Sequence, residues 1–237
     1  MSESAETCEW LTRQGLFHQV VGHAEATDLL RDPRLLADIR GLFEGLGVTS
    51  GPLWELMGAA FLSMDGEPHR RVRGAVAEHF TPRSVDGVRQ LARDEAAGRA
   101  SAIAEAGGAE LMRDFATPFV TAITCAHVGF SVGDLEQLGA TLDAISNGAR
   151  DLANNLDQYS ASVVELATYA EQALEDRRRE PTGDVLTAVV RRVEAGELPE
   201  NVAISLVVGL LSAGHEPTVN QIGLMVHALA ERPDLWD

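Results

Sequence analysis

The stretch VAISLVVGLLSAGHEPTV, Val202 to Val219, decides how the rest of the chain is read. Val202 to Ala213 is apolar at every helical angle, so a helix here is predicted to be buried all round. Gly214, His215, Glu216 and Pro217 then follow in succession. Proline offers no amide hydrogen to the carbonyl of Ala213, four residues back, and its ring crowds that carbonyl, so the helix is expected to bend and open. Gly214 lets another group approach the backbone closely. Glu216 would be a carboxylate inside a buried helix, and without a partner its burial costs several kcal/mol, on the scale of the whole folding margin. Two readings of these residues stay open. One is a widened notch, where a free carbonyl, Glu216 and the Thr218 hydroxyl hold a small polar ligand or water. The other is a kinked helix whose Glu216 reaches solvent.

Working outward, Leu198-Pro199-Glu200 opens this helix, which is predicted to run to about Arg232. Upstream, helical patterns cover Arg83 to Ala106 (stopping at Gly107-Gly108), Phe115 to Val128, Asp134 to Ala149, Leu156 to Arg179 and Asp184 to Glu194. Thr81 is a candidate N-cap before Pro82, and Pro68 suits the first position of a helix reaching Phe80, with Val72, Val76 and Phe80 on one face. Near the start, Leu16 to Val21 has strand character, Ala24 to Leu30 reads as a helix, Gly41 to Gly51 as a loop and Leu53 to Leu62 as a short helix. The fold class is mainly α, with a small β element near the N-terminus. No linker or repeat divides residues 1–237, so a single domain is expected.

Composition narrows the function. Of 237 residues, 45% are hydrophobic, which is ordinary for a globular chain. Nineteen Lys+Arg against 36 Asp+Glu give a charge of −17, which repels phosphate backbones and anionic lipid. A helical transcription regulator is disfavoured on the same ground and by the lack of a basic recognition helix. Cys8 and Cys125 form neither a disulfide framework nor a metal site. The acidic opening MSESAETCEW lacks the basic and apolar regions of a signal peptide, and Val202 to Ala213 has about half the ~20 residues a bilayer span needs, so neither nucleic acid nor membrane is expected as a partner and a cytoplasmic location is expected.

One basic cluster stands against the acidic average: EPHRRVR, Glu67 to Arg73. His69 and Arg73 are four apart on one helical face, near a helix start, and suit a carboxylate or phosphate. A solvated, charged first turn is the plain alternative.

Three stretches together resemble one family. FLSMDGEPHRRVRGAVAEHFTPRSV (Phe61 to Val85) is similar to the C-helix region of the cytochrome P-450 superfamily, the bacterial haem-thiolate monooxygenases. LLSAGHEPTVNQIGLMVHALAERPDLW (Leu210 to Trp236) resembles their long I helix and the start of the next helix, and ATDLLRDPRLLAD (Ala26 to Asp38) resembles the helix and turn after their first strand. The resemblance implies the N-terminal part of that fold, with the I helix at its centre, as a single incomplete domain over residues 1–237.

It also implies roles. His69 and Arg73 match the pair that binds the haem propionates. Ala213 and Gly214, with Leu210, match the groove where the I helix passes the haem face used by oxygen and substrate. Glu216 matches the acid of the proton-delivery motif. A threonine usually follows that acid; here Pro217 stands there, so Thr218 or water has to supply the hydroxyl. The cofactor implied is haem b. The chain provides no metal ligand of its own, since the iron-binding cysteine loop is expected beyond residue 237, and the chain alone is expected to be inactive. The intact protein is expected to hydroxylate a small apolar molecule with dioxygen, using electrons from NAD(P)H through a ferredoxin and its reductase. The pocket would draw on Gly41 to Phe61, Asp143 to Asp157 and the I helix, with Leu46, Leu53, Leu56, Leu206 and Leu210 as apolar lining. The alternative is a haem-free relative that binds and stabilises a glycosyltransferase, against which the retained His69, Arg73 and Glu216 argue.

Overall fold

The structure is a computed structural model that describes residues 10–14, 17–131, 133 and 135–235. It begins with an antiparallel hairpin, β1 (Leu11–Gln14) and β2 (Phe17–Val20), in the register Leu11 to Val20 and Gln14 to Phe17. The predicted strand is therefore half of a pair; Leu16, where it was expected to begin, lies outside the described residues, as do Cys8 and Asp134. Short helices follow: α1 (His23–Leu29), α2 (Ile39–Gly45) and α3 (Pro52–Ala59), then a 3₁₀ turn at Phe61–Ser63.

Helix α2 occupies part of the stretch expected to be a glycine loop. Asp38 caps it by accepting from Gly41 N at 2.8 Å, and Phe43, 1% exposed, anchors it by stacking on Tyr159 with centroids 5.8 Å apart. A capped turn and a buried aromatic ring outweigh the roughly 1 kcal/mol helix penalty of a glycine.

Next come α4 (Gly66–Val76), a 3₁₀ turn at Ala77–Phe80, α5 (Pro82–Asp86) and α6 (Arg89–Ala106). Pro68 is thus the third residue of α4, not the first. Val72 and Val76 are buried as expected, but Phe80 is 46% exposed, because the tighter 3₁₀ winding carries it off their face. Thr81 caps α5 through Ser84 N. The single helix expected over Arg83 to Ala106 is divided between α5 and α6, the Gly87 amide turning back on Ser84 O.

A π-helical turn at Leu111–Ala116 leads into α7 (Thr117–Val128), followed by α8 (Leu135–Arg150), α9 (Leu152–Arg179, with non-helical backbone at Asn155), α10 (Val185–Glu194) and α11 (Glu200–Ala230). A last 3₁₀ turn spans Pro233–Leu235.

Helix α11 is the axis of the molecule, packed on α3, α7, α8, α9 and α10. Its Ala203, Leu206, Val207 and Leu211 join Leu138 and Leu142 of α8, Leu166 and Leu174 of α9, and Val185, Leu186 and Val189 of α10 in one core. Burying each leucine stabilises the fold by about 1.5–3 kcal/mol. By length and composition α11 would suffice to cross a membrane; here the side chains of its first half pack on the other helices, while Leu224, Met225 and Val226 are exposed. No residue from Val202 to Ser212 is exposed, in line with all-round burial, but Ala213 is exposed.

Candidate functional site

Leu206, Leu210, Ala213 and Pro217 are spaced by four, three and four, which places them on one stripe of α11. Leu206 and Leu210 form one wall of a cleft of about 320 Å³ whose other lining is Phe61, Arg73, Val76, Ala77 and Phe80. Ala213 and Pro217 continue the stripe into solvent. Arg73, from α4, therefore faces the same apolar cleft as Leu210. It makes no ion pair among the described residues, whereas its neighbour Arg70 is paired with Glu67 at 2.7 Å. His69 is one turn earlier on α4, half-buried, with its imidazole stacked on Phe61 at 6.1 Å between centroids. Phe61 itself lies against α11, its Cε1 3.3 Å from where a Cβ on Gly209 would be. Ser205 Oγ donates to Leu56 O at 3.0 Å, tying the α3 side of this wall to α11.

Glu216 is not in that cleft. It lines a second one, of about 580 Å³, between α7, α8 and α11, together with Thr117, Thr121, Asp143, Asn147 and Asn220. The structure thus brings Arg73, His69 and Leu210 together and sends Glu216 to another side of α11. In this second cleft, burial raises the pKa of Asp143, partly offset by the Thr117 hydroxyl 3.4 Å away. Outside the lining of this cleft, burial, and secondarily the charge of Glu216, raises the pKa of Tyr159.

The expected notch is corrected. Helix α11 runs without interruption through Pro217 from Glu200 to Ala230. Thr218 Oγ1 is turned back onto the Gly214 carbonyl at 2.9 Å, so its hydroxyl is spent on the backbone and is not held beside Glu216. Opposite Pro217, α7 packs against the helix: His215 Nε2 lies 3.1 Å from Thr121 Oγ1, and Val219 packs on Val120. A proline deletes one ladder bond, and the neighbouring bonds and this packing keep the remainder helical.

The buried polar group of the GHEP stretch is also different from the one expected. Glu216 is half-buried, while His215 is 1% exposed. Its Nε2 lies 3.1 Å from Thr121 Oγ1, and its Nδ1 is buried with no partner. Burial drives its pKa down to about 4, Glu216 opposing this only in part, so the ring is neutral at pH 7. Sequence reasoning passed over His215 and Thr121. The signal was present: His215 is four residues from both Leu211 and Val219, which are buried on the same face.

The expected lining leucines divide. Leu206 and Leu210 line the Arg73 cleft, Leu53 is buried in the core, Leu56 borders a separate hollow beside α9, and Leu46 is half-buried near α2.

Among the described residues no group of metal ligands gathers. Cys125 is fully buried in α7, and desolvation pushes its thiol up to about 12, so it supplies no thiolate. An unpaired guanidinium and an imidazole at the rim of an apolar wall fit the edge carboxylates and flat apolar body of a porphyrin.

The fold and clefts define a class: a mainly α protein built on one long core helix, with a basic short helix facing its open apolar stripe. No family model matches the chain. It is 31% identical over 239 residues to luteothin monooxygenase of Streptomyces thioluteus, covering 99% of this chain and 58% of that protein. It is 30% identical over 236 residues to erythromycin C-12 hydroxylase of Saccharopolyspora erythraea, covering 96% and 56%. Among solved structures, CalO2 superposes with a TM-score of 0.78 at 26% identity over 95% of this chain and 58% of that one. The thaxtomin-hydroxylating TxtC has a TM-score of 0.73 at 20% identity over 92% and 56%, a likeness of fold. The chain belongs to the cytochrome P-450 superfamily, and it spans little more than half the length of these relatives.

Proposed function

We propose that this chain is part of a haem-dependent monooxygenase that hydroxylates a small apolar molecule with dioxygen. The intact protein would take electrons from NAD(P)H through a ferredoxin and its reductase. The observation that carries this reading is Arg73, a guanidinium without a counter-ion among the described residues, facing the apolar wall of Leu206 and Leu210. Arg73 is exposed, but a cation beside an apolar wall suits an anion, and a charge-assisted bond to a carboxylate is about twice as strong as a neutral one.

Haem b, when bound, supplies the activation of dioxygen and accepts the electrons. The chain's own residues do the remainder. Arg73, with His69 as second donor, would hold the propionates. Phe61 fixes the His69 imidazole. Leu206, Leu210 and Ala213 exclude water and give an apolar substrate its surface, and Gly214 keeps the helix close to α7. Glu216 carries a proton at its carboxyl between the polar cleft and the other side of α11, with water in place of the Thr218 hydroxyl, which is engaged elsewhere. With Cys125 neutral and buried, the chain alone is inactive.

Titrating the purified chain with haem, followed by absorbance, tests the anchoring: Arg73→Gln is expected to weaken binding about tenfold, the equivalent of one lost charged hydrogen bond of about 1.5 kcal/mol. Unchanged affinity would remove the assignment of Arg73. The intact gene product, loaded with haem and reduced under carbon monoxide, is expected to show the absorbance of a thiolate-ligated haem. Its absence favours the haem-free helper of a glycosyltransferase.

A further inference from the structure

Thr121 Oγ1 is 2.8 Å from the carbonyl of Thr117 and 3.1 Å from His215 Nε2. A hydroxyl has one hydrogen, and here it is donated to the Thr117 carbonyl; toward the imidazole the oxygen can only accept. His215 is therefore the Nε2–H tautomer, donating to Thr121, and its Nδ1 is left a bare acceptor in the interior. This bond crosses from α7 to α11 within two residues of Pro217, where the backbone ladder of α11 lacks one rung.

Apolar contacts also join the two helices here. The methyl of Thr124 lies against Gly214, and Val120 and Ala116 pack on Val219. Such contacts hold helices together but allow rotation. A hydrogen bond is directional, weakening steeply away from linearity. Successive residues of a helix are about 100° apart, so fixing the direction of His215 fixes that of Glu216.

We propose that Thr121 is a positioning residue: through its bond to His215 it locks the rotation of α11 and directs Glu216 into the cleft between α8 and α11, away from the face of Leu210. The importance of this rests on Glu216 as the proton carrier. Its test uses the haem-free chain, so it stands or fails separately from haem binding.

The chain has two tyrosines, Tyr159 and Tyr169; Tyr159 carries a raised pKa to which the Glu216 charge contributes, so its titration reports where that carboxylate is. With ring-labelled tyrosine, assigned through Tyr169→Phe, the Tyr159 midpoint is expected to fall in Glu216→Gln. In Thr121→Val it is expected to fall to that same value, and in Thr121→Ser, which keeps the hydroxyl, to stay at the wild-type value. In wild-type chain, nitrogen NMR is expected to show His215 protonated at Nε2 and bare at Nδ1. A folded Thr121→Val with the wild-type Tyr159 midpoint, or a wild-type His215 protonated at Nδ1, overturns the proposal. Should Thr121→Val not fold, as circular dichroism would show, the wild-type tautomer decides alone.

Discussion

Phe61 stacks on His69 with planes 25° apart, and the edge of the same ring lies over the Gly209 backbone. One phenyl ring thus indexes the basic helix α4 to the long helix α11. Their relative placement depends on a glycine in the middle of a helix, where its low propensity is otherwise a cost of about 1 kcal/mol.

Gly209 is expected to tolerate alanine and reject leucine. Alanine gains helix propensity but brings its Cβ to 3.3 Å from Phe61 Cε1, so the net change should be within about 1 kcal/mol of zero. Leucine has to displace the ring, and a loss of about 1–3 kcal/mol is expected. Urea denaturation of the two variants measures this, and a shift of the His69 ring signals should accompany the leucine change only.

Gly214 is tighter. A Cβ there meets Thr124 Cγ2 at 3.0 Å, so Gly214→Ala is expected to destabilise by about 1–2 kcal/mol despite its propensity gain. Thr124→Ser removes that methyl. In the double variant most of the loss should return, giving a coupling of at least about 1 kcal/mol in a double-mutant cycle.

Acid should find His215. Its folded pKa of about 4 is below the unfolded 6.5, so the unfolded chain binds the proton more readily. Stability from this site is complete above pH 6.5 and declines as pH falls toward 4, by up to about 3 kcal/mol. Stability measured between pH 7 and pH 4 in wild type and His215→Leu should show the shallower slope in the variant. Equal slopes would sink this prediction.

Asp184 is predicted to be a stability centre. It accepts from Arg177 Nε at 2.6 Å and caps α10 by accepting from Thr187 N at 2.8 Å. Burial raises its pKa, but the bonds from Arg177 and Thr187 together outweigh it and hold the carboxyl below the ordinary range. Asp184→Ala should cost about 3–5 kcal/mol by stranding the half-buried Arg177 and uncapping α10. Asp184→Asn keeps a cap acceptor and should cost less; thermal melts rank the two.

Most helices were legible because periodicity and punctuation are local. Asp184, Thr81 and Leu198-Pro199 marked starts that the structure keeps. The errors have a common origin. Helix α2 forms in a glycine-rich stretch because Phe43 has Tyr159 to pack on, 116 positions away in the chain, and no window of neighbouring residues contains that contact. Pro217 promised a broken helix, because intrinsic propensity knows nothing of α7 on the other side.

The order of residue types alone was enough to settle a mainly α chain with a buried central helix and membership of its superfamily, since each depends on spacing along a helix or on motif order. It could not settle that Arg73 and Glu216 belong to different clefts, or that His215 and not Glu216 is the sealed polar group. Those depend on how far α11 is turned about its own axis, and that angle is set by Thr121 and the other side chains packed around it.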